Sequence, residues 1–214
     1  MNQKLDLIYN CAMRTYRTVN LNVLWFLIAL NVVIFIITLF KPETIYFLGL
    51  TPALLSQQPW TIISSIFAHA SVWHILFNMI GLYFLGSFFI RAAGEKSFLA
   101  VFFLGGIAGN ALYVLLGQLV LHNLLPPSFG NPFTLGVGAS GAIFALGGAL
   151  AVMVPRVPVF IFFIPVPIPL WVAIVIFFSL SFLPRIAWQA HLGGLLLGLV
   201  AGLIFRKRRR IYYF

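Results

Sequence analysis

The chain has 214 residues, 62% of them hydrophobic and 7% charged, with a mean hydropathy of +1.08 and a formal net charge of +10. An ordinary soluble domain carries about 25% charged residues, so these values exclude a water-soluble globular protein and point to an integral membrane protein. The long unalternating apolar runs also exclude a transmembrane barrel, whose strands alternate apolar and polar residues.

About 20 apolar residues are needed to cross the hydrocarbon core. Reading between charges and prolines predicts an all-α membrane protein, a bundle of six transmembrane helices near 21–40, 72–90, 97–121, 138–154, 167–183 and 186–204. The chain divides into an N-terminal tail (1–20), a six-span body (21–205) and a basic C-terminal tail (206–214). In the first tail Leu5, Ile8, Tyr9, Ala12 and Tyr16 recur at helical spacing among Lys4, Arg14 and Arg17. That pattern suits a short helix on an anionic membrane surface and equally a frayed tail. The first apolar segment is too long for the apolar region of a signal peptide and lacks a small-residue cleavage pattern after it, so it is expected to remain in the mature protein. Cys11 is the only cysteine, which rules out an intrachain disulfide.

Between the first two spans, residues 41–71 are rich in Ile, Leu and Phe yet broken by Pro42, Pro52 and Pro59. Too apolar for water and too interrupted to span, this loop is expected to lie partly in the outer leaflet, with Trp60 suited to the interface. The connection from Pro126 to Gly136 is uncharged and rich in Gly and Pro, a composition that lets it cover a site yet move. The fifth span is the least distinct, because Pro155, Pro158, Pro165, Pro167 and Pro169 suit either a loop or a kinked helix start. After the sixth, Arg206-Lys207-Arg208-Arg209-Arg210 holds the largest share of the positive charge. Directly behind a span, such a cluster is a positive-inside anchor on anionic lipid headgroups rather than a nucleic-acid site.

With the N-terminus inside, the inner segments hold 11 of the 13 Lys and Arg residues, and the outer ones only Lys41 and Arg185. Both termini are therefore expected in the cytoplasm, in a multi-pass protein of the cell membrane. The second, fourth and sixth spans then run inward from the outer face. His74 with Asn78, Ser140, and His191 each lie within about two turns of the start of one of these spans, hence at similar depth at about 1.5 Å per residue.

Polar and ionisable groups at membrane depth are costly and mark function or a water-filled cavity. Ser140 can attack a carbonyl and neutral His191 can accept its proton. His74 and Asn78, four residues apart on one helical face, can donate to the developing oxyanion, joined by the Ser140 amide at a helix start. A triad would add a carboxylate, but Asp6, Glu43 and Glu95 are the only acids and none is well placed behind His191. A Ser-His dyad follows, with packing rather than an acid fixing the imidazole, and Phe144, one turn below Ser140, able to stack on the ring. Small residues around Ser140 and the Gly194, Gly198, Gly202 series also suit close helix packing. The two readings cooperate if these glycines draw the sixth span against Gly141, Gly147 and Gly148. His69 reads as a structural hydrogen-bonding residue. Metal binding by His69, His74 and His191 has no accompanying carboxylate or thiol and lacks zinc-protease spacing.

Three pieces in order resemble the rhomboid family of intramembrane serine proteases: Trp60-Thr61 ahead of Phe67-Ala68-His69-Ala70-Ser71-Val72-Trp73-His74-Ile75-Leu76-Phe77-Asn78, then Gly138-Ala139-Ser140-Gly141, then Ala190-His191-Leu192-Gly193-Gly194. The resemblance covers roughly residues 20 to 205. It implies a six-helix core with Ser140 as nucleophile, His191 as base and acid, and His74 with Asn78 supporting the oxyanion. It also implies cleavage of single-span membrane proteins in or near the bilayer, without cofactor or ATP, at small residues followed by helix-weakening ones. Departures are Trp60-Thr61 where many members carry Trp-Arg, Ile90 where many carry glutamate, and Phe144 where some carry tyrosine. Other readings are a channel or transporter, which would place polar residues near mid-bilayer in inverted repeats, and a non-cutting rhomboid-like protein that binds membrane helices. Retention of Ser140 and His191 argues against the latter.

Overall fold

A computed structural model describes residues 20–161, 164–184 and 186–207. The reading of residues 1–19 as a tail or surface helix, with Cys11, and the tail from 208 onward lie outside the described residues.

α1 (Asn22–Phe40) arises from a mostly apolar run and stops at Lys41, whose backbone (φ −132°, ψ 80°) has left the helical region that a following proline disfavours. The loop beyond it folds into α2 (Thr44–Leu48), a 3₁₀ turn at Pro52–Leu54, α3 (Thr61–Ser64) and a second 3₁₀ turn at Ser65–Phe67. These pieces are tied to one another by Trp60 Nε1 donating to the Phe47 carbonyl at 2.8 Å and Ser64 Oγ to that of Leu48 at 2.7 Å.

α4 (Val72–Ala93) starts at an extended Ser71, whose hydroxyl accepts from the His74 amide. It ends at Gly94, at φ +85°, a left-handed conformation that reverses the chain straight into α5 (Glu95–Leu121). α6 (Ser140–Met153) is the innermost helix, buried at most of its positions because it is built largely of Gly and Ala. α7 (Leu170–Ser179), a 3₁₀ turn at Leu180–Phe182 and α8 (Trp188–Lys207) complete the order. α8 carries the last span past 205, so Arg206 and Lys207 continue the helix.

The expectation of an all-α chain misses one element. An antiparallel hairpin of β1 (Pro158–Ile161) and β2 (Ile164–Pro169) precedes α7, with Pro158 opposite Pro169 and Ile161 opposite Ile164. Prolines 165, 167 and 169 recur at period two, so the backbone positions that lack an N–H all fall on one side of a two-stranded ribbon, where an edge tolerates them. The fifth helix accordingly begins after Pro169 rather than at 167.

Four helices, Asn22–Phe40, Val72–Ala93, Glu95–Leu121 and Trp188–Arg206, are long and apolar enough to cross a membrane, and Ser140–Met153 and Leu170–Phe182 are shorter apolar helices. Large apolar side chains such as Phe26, Phe40, Phe84 and Leu203 are exposed on the outside, as suits lipid contact. Inside, glycines set the helix spacing. A Cβ at Gly194 would overlap the Gly141 carbonyl oxygen, one at Gly198 that of Ala145, and one at Gly202 would come 2.7 Å from that of Ala149. The expected seam between α6 and α8 is therefore present, with one change: Gly147 faces Ile174 of α7 instead of α8. Gly193 and Gly109 make the matching close approach between α8 and α5.

Candidate active site

Ser140 is the first residue of α6, so its amide has no intrahelical acceptor. The turn ahead of it depends on Gly138, at φ +122°, where a Cβ would also come within 2.7 Å of His74 Nε2 and 3.7 Å of Ser140 Oγ. The missing side chain thus leaves a space bordered by His74 on one side and Ser140 on the other. The Gly138 amide donates to the Ser65 carbonyl at 2.8 Å, and Asn110 Nδ2 donates to the Ser65 hydroxyl at 2.9 Å and to the Ile62 carbonyl at 2.8 Å. The turn that carries the serine is in this way fixed to the first loop and to α5.

His191 lies in the first turn of α8, and its Nε2 is 2.7 Å from Ser140 Oγ. Nδ1, on the opposite edge of the ring, is 2.7 Å from the hydroxyl of Ser181 in the 3₁₀ turn after α7. Phe144 covers the imidazole face, with ring centroids 4.6 Å apart and planes at 34°, and Phe178 packs edge-on against Phe144 at 5.9 Å. The stacking expected of Phe144 is therefore present. Packing is not the whole support, because a hydroxyl also holds the ring.

Of the four predicted site residues, Ser140 and His191 are joined directly and His74 borders the same space. Asn78 is buried, its Nδ2 donates to the His74 carbonyl one turn back at 2.8 Å, and its Oδ1 has no partner among the described residues. It makes no hydrogen bond to Ser140 or His191. His69 is buried and packs edge-on to His74 at 5.1 Å; neither ring nitrogen makes a well-formed hydrogen bond among the described residues, and the Phe67 backbone is its polar neighbour. Burial, with His74 acting in the same direction, pushes its imidazole down to about 3 from an ordinary 6.5, so it is neutral at physiological pH.

The chain around the site is stitched in place by bonds that sequence reading missed. Leu50 and Gly136 exchange two backbone hydrogen bonds of 2.8 and 2.7 Å. Tyr113 donates to the Thr134 carbonyl at 2.7 Å, and Gln189 Nε2, two residues before His191, to that of Phe129 at 2.7 Å. The 126–136 connection is thus tied to the first loop, α5 and α8. Thr61, which stands where a family arginine is common, donates to the Gln58 carbonyl at 2.6 Å. Ser181 was the main omission, although a signal existed: Ser179 and Ser181 are the only hydroxyl-bearing residues between Pro155 and Ala190.

A hydroxyl hydrogen-bonded to an imidazole whose other nitrogen is held has the geometry of an activated nucleophile. Comparison with known proteins agrees with the fold around it. The Rhomboid domain matches residues 56–208. Rhomboid protein 1, mitochondrial, of Saccharomyces cerevisiae is 29% identical over 69% of this chain and 42% of its own length. RHOMBOID-like protein 12, mitochondrial, of Arabidopsis thaliana is 34% identical over 70% and 47%, and Rhomboid-like protease 3 of Toxoplasma gondii is 30% identical over 47% and 33%. The chain spans less than half the length of each of these relatives. Since the domain match runs unbroken from the loop ahead of His74 to the end of α8, the chain belongs to the rhomboid family.

Proposed function

We propose that the protein is a six-span intramembrane serine endopeptidase that hydrolyses peptide bonds in or near the transmembrane segments of single-span membrane proteins. The observation that carries this is the 2.7 Å contact between Ser140 Oγ and His191 Nε2. Ser140 Oγ attacks the scissile carbonyl while its proton passes to His191 Nε2. The oxyanion forms in the space in front of Gly138, where His74 Nε2–H and the Ser140 amide donate to it. His191 returns the proton to the departing amine, and a water activated by the same imidazole releases the acyl group from Ser140. Asn78, one of whose Nδ2–H groups is engaged by the His74 carbonyl, supports the oxyanion with the other.

Depth in the membrane favours the same reading. α6 has 14 residues, hence a length of about 21 Å against a hydrocarbon core of about 30 Å, so a helix ending at the inner boundary starts at Ser140 well below the outer one. On this reading the seat is the plasma membrane, and the positive-inside distribution supports cytoplasmic termini with the dyad toward the extracytoplasmic face. A helical peptide bond is shielded, so a substrate segment must unwind before its carbonyl reaches Ser140, which favours substrates with weak helices.

The test is covalent labelling of the purified protein by a serine-directed fluorophosphonate, with the adduct located by mass spectrometry. An adduct on Ser140 that disappears in His191→Ala is expected. Labelling that persists unchanged in Ser140→Ala would remove that serine from the nucleophile role.

A further inference from the structure

His191 is gripped on both edges: Nε2 by Ser140 Oγ and Nδ1 by Ser181 Oγ, each at 2.7 Å. Ser181 is only 2% exposed, so water does not compete for its hydroxyl. Neighbouring rings fix the turn that carries it. Phe182 stacks on Trp188 of α8 at 5.8 Å, and Phe178 packs on Phe182 at 5.6 Å and on Phe144 at 5.9 Å. Among the described residues no acid takes this position, since Glu43 and Glu95 are exposed and far along the chain from His191.

We infer that Ser181 is a positioning residue whose hydroxyl accepts a hydrogen bond from His191 Nδ1–H and holds the imidazole in the tautomer with a bare Nε2. The inference rests on the protease reading and deepens it. A hydroxyl, unlike a carboxylate, can donate as well as accept, so two proton orders fit the same three atoms. In one, Ser181 donates to Nδ1 and Nε2–H donates to Ser140, which leaves the Ser140 proton nowhere to go. In the other, Nδ1–H donates to Ser181 and Nε2 accepts from Ser140. Only the second is competent, and it is the one that persists through the reaction: when the Ser140 proton moves to Nε2, the resulting imidazolium carries two N–H groups and Ser181 already accepts one. Without that oxygen the Nδ1–H of a buried cation has no acceptor, in a site where an unmet polar group is costly.

The experiment compares wild type with Ser181→Ala, Ser181→Thr and Ser181→Cys, all as the full chain in detergent micelles. Four quantities are read: the fluorophosphonate labelling rate, kcat and KM on a single-span substrate, the unfolding temperature, and the ring-nitrogen chemical shifts of His191. Ser181→Ala is expected to slow labelling and kcat by about 10- to 100-fold, with KM changed less than about twofold, as for a lost buried acceptor. Ser181→Thr, which keeps the hydroxyl, is expected to recover most of the rate, and Ser181→Cys, a weak acceptor of similar size, is not. The nitrogen shifts should report Nδ1 protonated in wild type and a move toward Nε2 protonation in Ser181→Ala. Unchanged kcat and labelling in Ser181→Ala, an effect on KM alone, or a loss that follows a lowered unfolding temperature and is not recovered by Thr would each overturn the inference. Wild type that never labels would defeat the protease reading instead, and the tautomer measurement would still decide the role of Ser181.

Discussion

Gly194→Ala tests whether backbone spacing between α6 and α8 sets the catalytic geometry. The added Cβ would overlap the Gly141 carbonyl oxygen and lie 2.7 Å from its carbon, whereas carbon atoms rest at about 3.5 Å or more. Relief requires the helices to part by roughly 1 Å. Gly194 is one turn from His191 and Gly141 is next to Ser140, so nearly all of that movement reaches the pair. Their 2.7 Å hydrogen bond then opens to roughly 3.7 Å, beyond hydrogen-bonding range. A 1 Å misplacement costs on the order of 100-fold in rate, while overpacking of this kind costs about 1–3 kcal/mol of stability. Gly202→Ala is the control: it approaches the Ala149 carbonyl oxygen at 2.7 Å, and eleven residues of helix, about 16 Å, separate it from His191. Turnover of a single-span substrate in liposomes and thermal unfolding in detergent are measured for both variants. Gly194→Ala should lose about 100-fold in kcat and Gly202→Ala far less at a similar loss of stability. Wild-type kcat in a folded Gly194→Ala would refute the claim that glycine spacing positions the dyad.

Three further outcomes follow from the same geometry. His74→Ala should lower kcat by about 100-fold or more with little change in KM, as removal of an oxyanion donor does; Asn78→Ala should lower it less, because one of its N–H groups is engaged with the His74 carbonyl, and a pure rise in KM for either would contradict the assignment. For His69 the folded value is about 3 and the ordinary value 6.5, so the unfolded chain binds the extra proton between them. The fold therefore loses stability as pH falls from about 6.5 toward 3, at most about 1.4 kcal/mol per pH unit from this residue, and is indifferent to it above. Acid titration of the unfolding temperature should be shallower in His69→Phe, and identical slopes would reject the buried neutral imidazole.

The helices were legible where the chain is uniformly apolar. α1, α4, α5, α6 and α8 begin and end within a few residues of expectation, because Ser71, Gly94 and the Lys41-Pro42 break are local signals of start and stop. The hairpin was not legible, since alternating prolines flanked by Val and Ile suit a loop or a kinked helix start as well as an edge strand until pairing decides. At the site, Ser140, His191 and Phe144 could be read from helical spacing and depth, because each lies on a regular helix. Ser181 could not: it sits on a 3₁₀ turn, and only the return of the chain from α7 into α8 brings its hydroxyl behind the imidazole. His69 shows a related limit. Polarity in a sequence suggests a hydrogen bond, but whether an acceptor lies within reach is decided by how the first loop folds over α4.

Cleavage of a single-span membrane substrate in liposomes by wild type, Ser140→Ala and His191→Ala bears most directly on the assignment of a Ser-His intramembrane protease. Wild type should release two fragments cut in or near the membrane segment, and neither variant should do so above background. Equal processing by all three would contradict it.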